Sequence, residues 1–397
     1  MQSETQIPIL LASAPRFARR LALFYGAVFA LIGSHLPFFP LWMKAVGIDA
    51  SWIGIISAVP SVTRFTALPL VTGLAERWGS LRGAMILTTG ATALGFALIG
   101  TQHVPVLVFL VYAATACMWT PIVPLTDAYA LRGVARYGLD YGPLRLWGSA
   151  AFVAGALACG LLADLISARY LIWIIATLAA FGALVSLALL PMEKPSASSV
   201  ARHGMAGLLR QRSFLVIILA SALIQSSHAA YYIFASITWQ RFGFDGLTIA
   251  ALWSVGVVAE IVVFALSPRL TLRPSSLVMI GAFAAMARWL ITAQEPPVTA
   301  LVVVQLAHGL TFGLTQLGTM GLMVRHVALP VMAAGQGYLA ACGGIVNATA
   351  SILCGLAYAR YGQGVYDMMA AMAACGGLLT WVARRCGAFS REGVSII

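Results

Sequence analysis

The sequence predicts an all-α polytopic membrane protein, with twelve transmembrane helices in two pseudo-symmetric six-helix bundles. Three observations lead there. Apolar residues make up 61% of the chain and charged residues 9%, with a mean hydropathy of +0.92; a soluble domain carries about 25% charged residues. The apolar runs are about 18–25 residues long, the length that crosses ~30 Å of hydrocarbon, and they do not alternate as the ~10-residue strands of a barrel would. Features of the first half also return in the second at a separation of about 195 residues, as in a chain built from two six-helix repeats.

Taken in order, the expected spans are 17–40, 51–75, 83–101, 105–130, 143–164 and 170–190, then 213–239, 246–268, 275–293, 297–324, 330–358 and 362–383. Arg16, Arg19 and Arg20 lead straight into the first, which reads as a helix entering from the cytoplasm rather than a cleavable signal peptide. Pro121 and Pro124 each remove a helical hydrogen bond and predict a bent fourth span. The longest polar stretch, 191–212, reads as a cytoplasmic linker between an N-terminal bundle, 1–190, and a C-terminal one, 213–397. The glycine-rich stretch 335–344 lets the eleventh helix pack closely or flex.

Of the 24 Lys and Arg residues, all but Arg64, Arg145 and Arg288 sort by loop. One side holds Arg16, Arg19, Arg20, Arg77, Arg82, Arg132, Arg136, Lys194, Arg202, Arg210, Arg212, Arg269, Arg273, Arg325, Arg384, Arg385 and Arg391. The other holds Lys44, Arg169, Arg241 and Arg360. Positive loops stay cytoplasmic, so both termini are expected in the cytoplasm of a bacterial-type inner membrane. The same sorting accounts for the net charge of +12 without nucleic acid. The six cysteines, 117, 159, 342, 354, 375 and 386, are scattered through apolar spans without CxxC spacing and read as small buried residues. No metal and no cofactor is expected, and the chain is expected to work as a monomer.

The repeat is visible in particular residues. Ser34-His35 in the first span matches Ser227-His228 in the seventh, each followed at +3 and +4 by aromatics: Phe38 and Phe39, then Tyr231 and Tyr232. Those spacings share a helix face with the histidine. The loop Thr72–Arg82 reads TGLAERWGSLR. It resembles the loop motif of the major facilitator superfamily, Gly-x-Leu-Ala-Asp-Arg-x-Gly followed by basic residues. Leu74, Ala75, Arg77, Gly79 and Arg82 fit; Glu76 replaces the Asp and Thr72 the first Gly. The stretches PIVPLTDAYA, LDYGPLRLWGSAAFVAG, HAAYYIFASITWQ, LWSVGVVAEIVVFALS, ARWLI and VQLAHGLTF look like the 3-phenylpropionate permease group of that superfamily, relatives of the lactose–proton symporters. The resemblance implies alternating access, with Asp127 and Arg145 as substrate-binding acid and arginine. It puts Glu260, Arg288 and His308 in the coupling cluster, and Glu76, Arg77, Gly79 and Arg82 in a loop that braces the cytoplasmic side. Thr311 stands where the lactose permeases have an acidic proton carrier, and Gln305 where they have a lysine, so the sugar-specific relay does not transfer intact.

The intramembrane charges point the same way. Arg64, Arg145 and Arg288 against Asp127 and Glu260 leave +1, which a monoanionic carboxylate would neutralise, and arginine binds carboxylates with a planar fork. Glu260 has no acid or base within one helical turn, so Arg145 is its expected partner. A buried acid, Glu260 or Asp127, released from its arginine takes a proton, and His308 is the rival proton site. His308, Thr311, Phe312, Thr315 and Thr319 share one face at α-helical spacing and read as cavity wall. His35, His228, Tyr231, Tyr232, Trp119, Tyr129 and Trp147 suit a flat apolar ligand or ordinary packing. The expected substrates are therefore a small organic anion and protons, taken up by secondary active transport. Export of amphipathic compounds, symport of a sugar or nucleoside, and a non-transporting receptor are the alternatives. No phosphate loop, nucleophile elbow or metal motif suggests an enzyme.

Overall fold

The structure, a computed structural model, describes residues 6–192, 205–328 and 331–389; Lys194, Arg202, Arg391 and most of the linker lie outside it. Every regular element among the described residues is helical. The first half runs α1 (Gln6–Ala45), α2 (Ala50–Phe65), α3 (Ala67–Trp78), α4 (Leu81–Gly100), α5 (Pro105–Trp119), α6 (Ile122–Tyr137), α7 (Tyr141–Leu165) and α8 (Leu171–Leu187). After the short turn α9 (Met205–Leu208) come α10 (Arg212–Ser226), α11 (Ala229–Arg241), α12 (Gly246–Leu266), α13 (Pro274–Ala293), α14 (Val298–Leu306), α15 (Thr315–His326), α16 (Met332–Tyr361) and α17 (Val365–Arg385).

Among the described residues ten stretches are long and apolar enough to cross a membrane, and the pair α2 and α3, bent by 42°, makes eleven. One of the ten, Ala334–Arg385, runs 52 residues and holds both α16 and α17, separated by the 3-10 turn Gly362–Gly364. Counted apart, these accommodate the twelve expected spans. The fourth span breaks between α5 and α6 at Thr120 and Pro121, where the sequence places its bend. Solvation is inverted relative to a soluble protein: Leu98, Phe181, Val303 and Leu378 are exposed while His228, Arg288, Gln305 and Thr311 are buried. Lipid accepts the first set, and only a polar interior accepts the second.

Packing divides the chain into two compact units. The first gathers Met1–Ile48, Thr66–Ala197 and Ser236–Ala250; the second gathers Asp49–Phe65, Ser198–Ala235 and Ala251–Ile397. We retain the linker as the proposed boundary of the two halves along the chain, so each unit takes in one short segment of the opposite half. In the first unit α1 lies along α7. A Cβ on Gly33 would strike the Phe152 carbonyl and one on Gly155 the Ala30 carbonyl, so glycine is what lets these backbones meet. Ser34 Oγ donates to the Gly155 carbonyl at 3.0 Å in the same contact.

The start of α12 belongs to this unit as well. Near the end of α7, Asp164 uses both carboxylate oxygens to accept the N–H groups of Gly246 and Leu247, at 2.5 and 3.1 Å. Asp245 caps the same helix end by accepting from the Thr248 N–H at 2.7 Å. Hydrogen bonds from the Thr248 hydroxyl and N–H hold the Asp245 carboxyl below the usual carboxylate range. Its contribution to stability is present above the ordinary aspartate pKa and is lost as pH falls through the lowered one.

In the second unit α2 packs on α16. Gly54 meets Gly355, Gly344 meets the Ser61 carbonyl and the Phe65 ring, and Asn347 Nδ2 donates to Ser61 Oγ at 2.6 Å. Gly160 and Gly355 are 195 positions apart, as are Ser51 and Gly246. A Cβ on Gly160 would strike the Gly246 carbonyl, and one on Gly355 the Ser51 carbonyl. The same close approach therefore appears once in each unit.

Two outcomes check this packing. Asp164→Ala should destabilise the detergent-solubilised protein by about 1 kcal/mol, the usual cost of a lost helix N-cap, read as a lower unfolding midpoint. Gly355→Ala should lower that midpoint because its Cβ would lie 2.8 Å from the Ala50 carbonyl, whereas Gly343→Ala, with open space around it, should leave it unchanged or raise it.

Candidate functional site

Local folding of the tenth span sets the geometry of the polar cluster in the second unit. The span is not one helix: between α14 and α15 the residues Gly309–Leu314 form a π-helical turn. Glycines permit it. A Cβ on Gly309 would strike the Ala259 carbonyl and one on Gly313 would crowd Val263, both on α12. Opposite, Gly281 of α13 makes room for Thr315. The expectation of one α-helical face from His308 to Thr319 is thereby corrected, because the wider turn breaks the 3.6-residue period. Thr315 and Thr319 are fully buried, and Thr315 donates back to the Thr311 carbonyl at 2.7 Å.

His308 and Thr311 instead meet Arg288 of α13. Its guanidinium donates to His308 Nδ1 at 2.9 Å, Thr311 Oγ1 at 3.2 Å and Gln305 Oε1 at 3.0 Å, while its buried Nε has no partner. Aromatic faces complete the surround: Cζ lies 4.8 Å from the Tyr231 ring centroid and 4.5 Å from that of Trp289. Tyr231 also packs on Trp253, with ring centroids 4.6 Å apart, and Tyr232 stacks beside His228 at 5.9 Å.

The hydrogen bonds assign both histidine tautomers. An arginine N–H can only donate, so His308 Nδ1 is an acceptor and the neutral ring carries its proton on Nε2. That nitrogen lies 3.8 Å from Glu260 Oε2. His228 Nδ1 faces the Gln225 carbonyl at 3.1 Å and must donate, which leaves Nε2 to accept from the Thr311 hydroxyl at 3.0 Å. The alternative for that hydroxyl, the His308 carbonyl, is more distant at 3.3 Å. Arg288, His308 and Glu260 thus form one ordered series from α13 through the tenth span to α12.

The first unit holds a second cluster. Asp127 Oδ1 accepts from Tyr25 Oη at 2.6 Å and Tyr141 Oη at 3.0 Å. Arg145 lies over the Phe29 ring, with Cζ 4.1 Å from its centroid, and 5.7 Å from the centroid of Tyr25. Among the described residues no ion pair within 4.0 Å joins Asp127 to Arg145. Further along α1, His35 stacks on Phe39 at 4.8 Å, approaches Phe96 and Trp119 at 5.4 and 5.9 Å, and shares a hydrogen bond of 3.2 Å with Tyr112 Oη. Arg64 on α2 is exposed. Tyr129 is buried and donates to the Leu190 carbonyl at 2.8 Å, and Trp147 is 61% exposed, so both are packing or surface residues.

The loop motif closes around a helix end. Gly79 has φ +66°, the left-handed conformation that ends α3, and Ser80 Oγ accepts the Gly83 N–H to begin α4. Arg82 then donates to the carbonyls of Leu187 and Leu189, Arg20 to that of Ala188, and Tyr129 to that of Leu190, so the C-terminal end of α8 is held by side chains. Arg77 is exposed, and the Glu76 side chain lies outside the described residues. Tyr25, Phe29 and Tyr141 escape a reading of the sequence, because a tyrosine in an apolar run is as consistent with packing as with a polar role.

The comparisons agree with this architecture. The profile described as the MFS_1 like family matches residues 18–367. The chain is 32% identical over 364 residues to the "Probable 3-phenylpropionic acid transporter" of Escherichia coli (strain K12), covering 89% of this chain and 95% of that one. It is 29% identical to the "Maltose permease" of Geobacillus stearothermophilus, over 74% of this chain and 75% of that one. The crystal structure of the nucleoside transporter NupG superposes with a TM-score of 0.80 at 18% identity, over 93% of this chain and 99% of that one. The chain belongs to the MFS_1 like family and is a multi-pass transporter of the major facilitator superfamily.

Proposed function

We propose that this transporter takes up a small aromatic carboxylate such as 3-phenylpropionate together with a proton, across a bacterial inner membrane, with both termini in the cytoplasm. The observation that carries the reading is the series Arg288–His308–Glu260. A buried histidine whose Nδ1 is occupied by an arginine N–H can accept a proton there only after the guanidinium withdraws. It then becomes an imidazolium beside the Glu260 carboxylate, and the two charges quench each other in an apolar setting. Substrate preference rests on Arg145, a cation on an aromatic face without an acid partner among the described residues, which suits a carboxylate. The aromatic surround of His35, with Phe39, Phe96 and Trp119, suits an aryl ring. The name given to the Escherichia coli relative agrees with that chemistry.

Symport of a neutral sugar or nucleoside is the second reading, because Tyr231 and Tyr232 would stack on either. A neutral solute leaves Arg145 without an anion. Proteoliposomes should therefore accumulate labelled 3-phenylpropionate when the outside is acidic, and should not accumulate uridine or maltose; the opposite preference would establish the second reading.

Two sets of variants test the roles. Arg145→Lys keeps the charge but loses the planar fork and should raise KM by about tenfold, so an unchanged KM would remove Arg145 from the binding site. Glu260→Gln and His308→Gln should each retain substrate exchange while losing accumulation against a gradient. If Glu260→Gln still concentrates substrate, the proton path does not include Glu260.

A further inference from the structure

Tyr25 stands between two opposite charges. Its ring lies beside the Arg145 guanidinium and its hydroxyl donates to Asp127 at 2.6 Å, the length of a charge-assisted bond. Tyr141 supplies a second hydroxyl to the same Asp127 oxygen at 3.0 Å. It opens α7 four residues before Arg145, so both side chains project from one face of that helix. Asp127 sits on α6, joined to α7 by a short turn through Gly138. An acid and an arginine so near in the chain, in weakly screened surroundings, attract strongly, yet they do not pair. The acid is solvated by phenols and the arginine by the Phe29 ring.

We propose that Tyr25 and Tyr141 are positioning residues that hold the Asp127 carboxylate off Arg145, so that the guanidinium stays open to the carboxylate of an incoming substrate. The inference rests on the reading of Arg145 as the anion receptor given above. Neither tyrosine need touch the substrate. Each donates one hydrogen bond to the acid, and the Tyr25 ring also lies beside the arginine. Without the two hydroxyls Asp127 would have to seek another cationic partner, and Arg145 is at hand. Asp127 would then compete with the substrate for the guanidinium.

The test is equilibrium binding and transport KM for labelled 3-phenylpropionate in the purified full-length protein and in proteoliposomes. The double variant Tyr25→Phe/Tyr141→Phe should raise Kd and KM at least tenfold. Adding Asp127→Asn to it should bring both back to within about threefold of the wild type, because no acid then remains to occupy the arginine. A merely structural role for the tyrosines would not be rescued by removing the acid, so a failed rescue overturns the proposal. A double variant within twofold of the wild type overturns it too. If Asp127→Asn alone weakens binding as much as the tyrosine changes do, the acid is itself a substrate ligand and the proposal fails. A wild-type protein that binds no 3-phenylpropionate, or an Arg145→Lys protein that binds it normally, overturns the underlying functional reading and this proposal with it. Either result is recognisable before any tyrosine variant is made.

Discussion

Arg288 is 2% exposed within an apolar span, a setting in which a charged side chain costs at least ~2.5–3.5 kcal/mol. Everything around it answers that cost. Tyr231 and Trp289 offer ring faces, and Gln305, His308 and Thr311 offer lone pairs. These groups come from α11, α13, α14 and the π turn, so one cation fixes the relative placement of four elements. The acid that balances the charge, Glu260, stands one residue further out, behind His308. An intervening imidazole makes the pairing conditional. Charge compensation passes through a ring whose two nitrogens are assigned opposite duties by their neighbours, and moving either neighbour changes what the ring can carry.

The two arginines stand in different environments. Arg288 is enclosed and satisfied mainly by neutral acceptors, so its movement is costly and cooperative. Arg145 is half-buried on a single aromatic face, and its nearest acid is engaged by phenols. In the proposed cycle Arg145 meets the solute with little rearrangement, and the rearrangement of Arg288 is tied to a proton. Stacking on an aromatic ring suits the first because it orients the guanidinium plane without consuming its N–H donors.

Much of this was legible in the sequence, for identifiable reasons. Span lengths follow from bilayer thickness, and a lone Glu260, Arg288 or His308 in an apolar run announces itself because such residues are costly there. The repeated Ser-His with its two aromatics carried the internal symmetry. The π turn is not legible: nothing in the residues Gly309–Leu314 departs from a period of 3.6, and the wider turn shows only in the structure, packed against α12. Partner choice was not legible either. The resemblance groups Glu260 with His308 without saying which atoms meet, and Asp164 holds a helix that begins 82 residues later, because contacts between helices depend on register and rotation that no single segment encodes. Tyr25 and Tyr141 give no signal, since their hydroxyls matter only once a carboxylate is known to face them.

The glycine-notched contact between α2 and α16 bears on how the chain is made. Ser61 and Asn347, which hydrogen-bond across it, are 286 residues apart. A ribosome delivers α2 to the membrane long before its mate. Lipid is as apolar as the helix that α2 awaits, so no hydrophobic force favours a wrong partner in the interval. A small-residue groove is well suited to such a delay: it offers close van der Waals fit to one matching backbone and little to anything else. One side of this contact is therefore made long before the other, and the match between two backbones has to wait for α16.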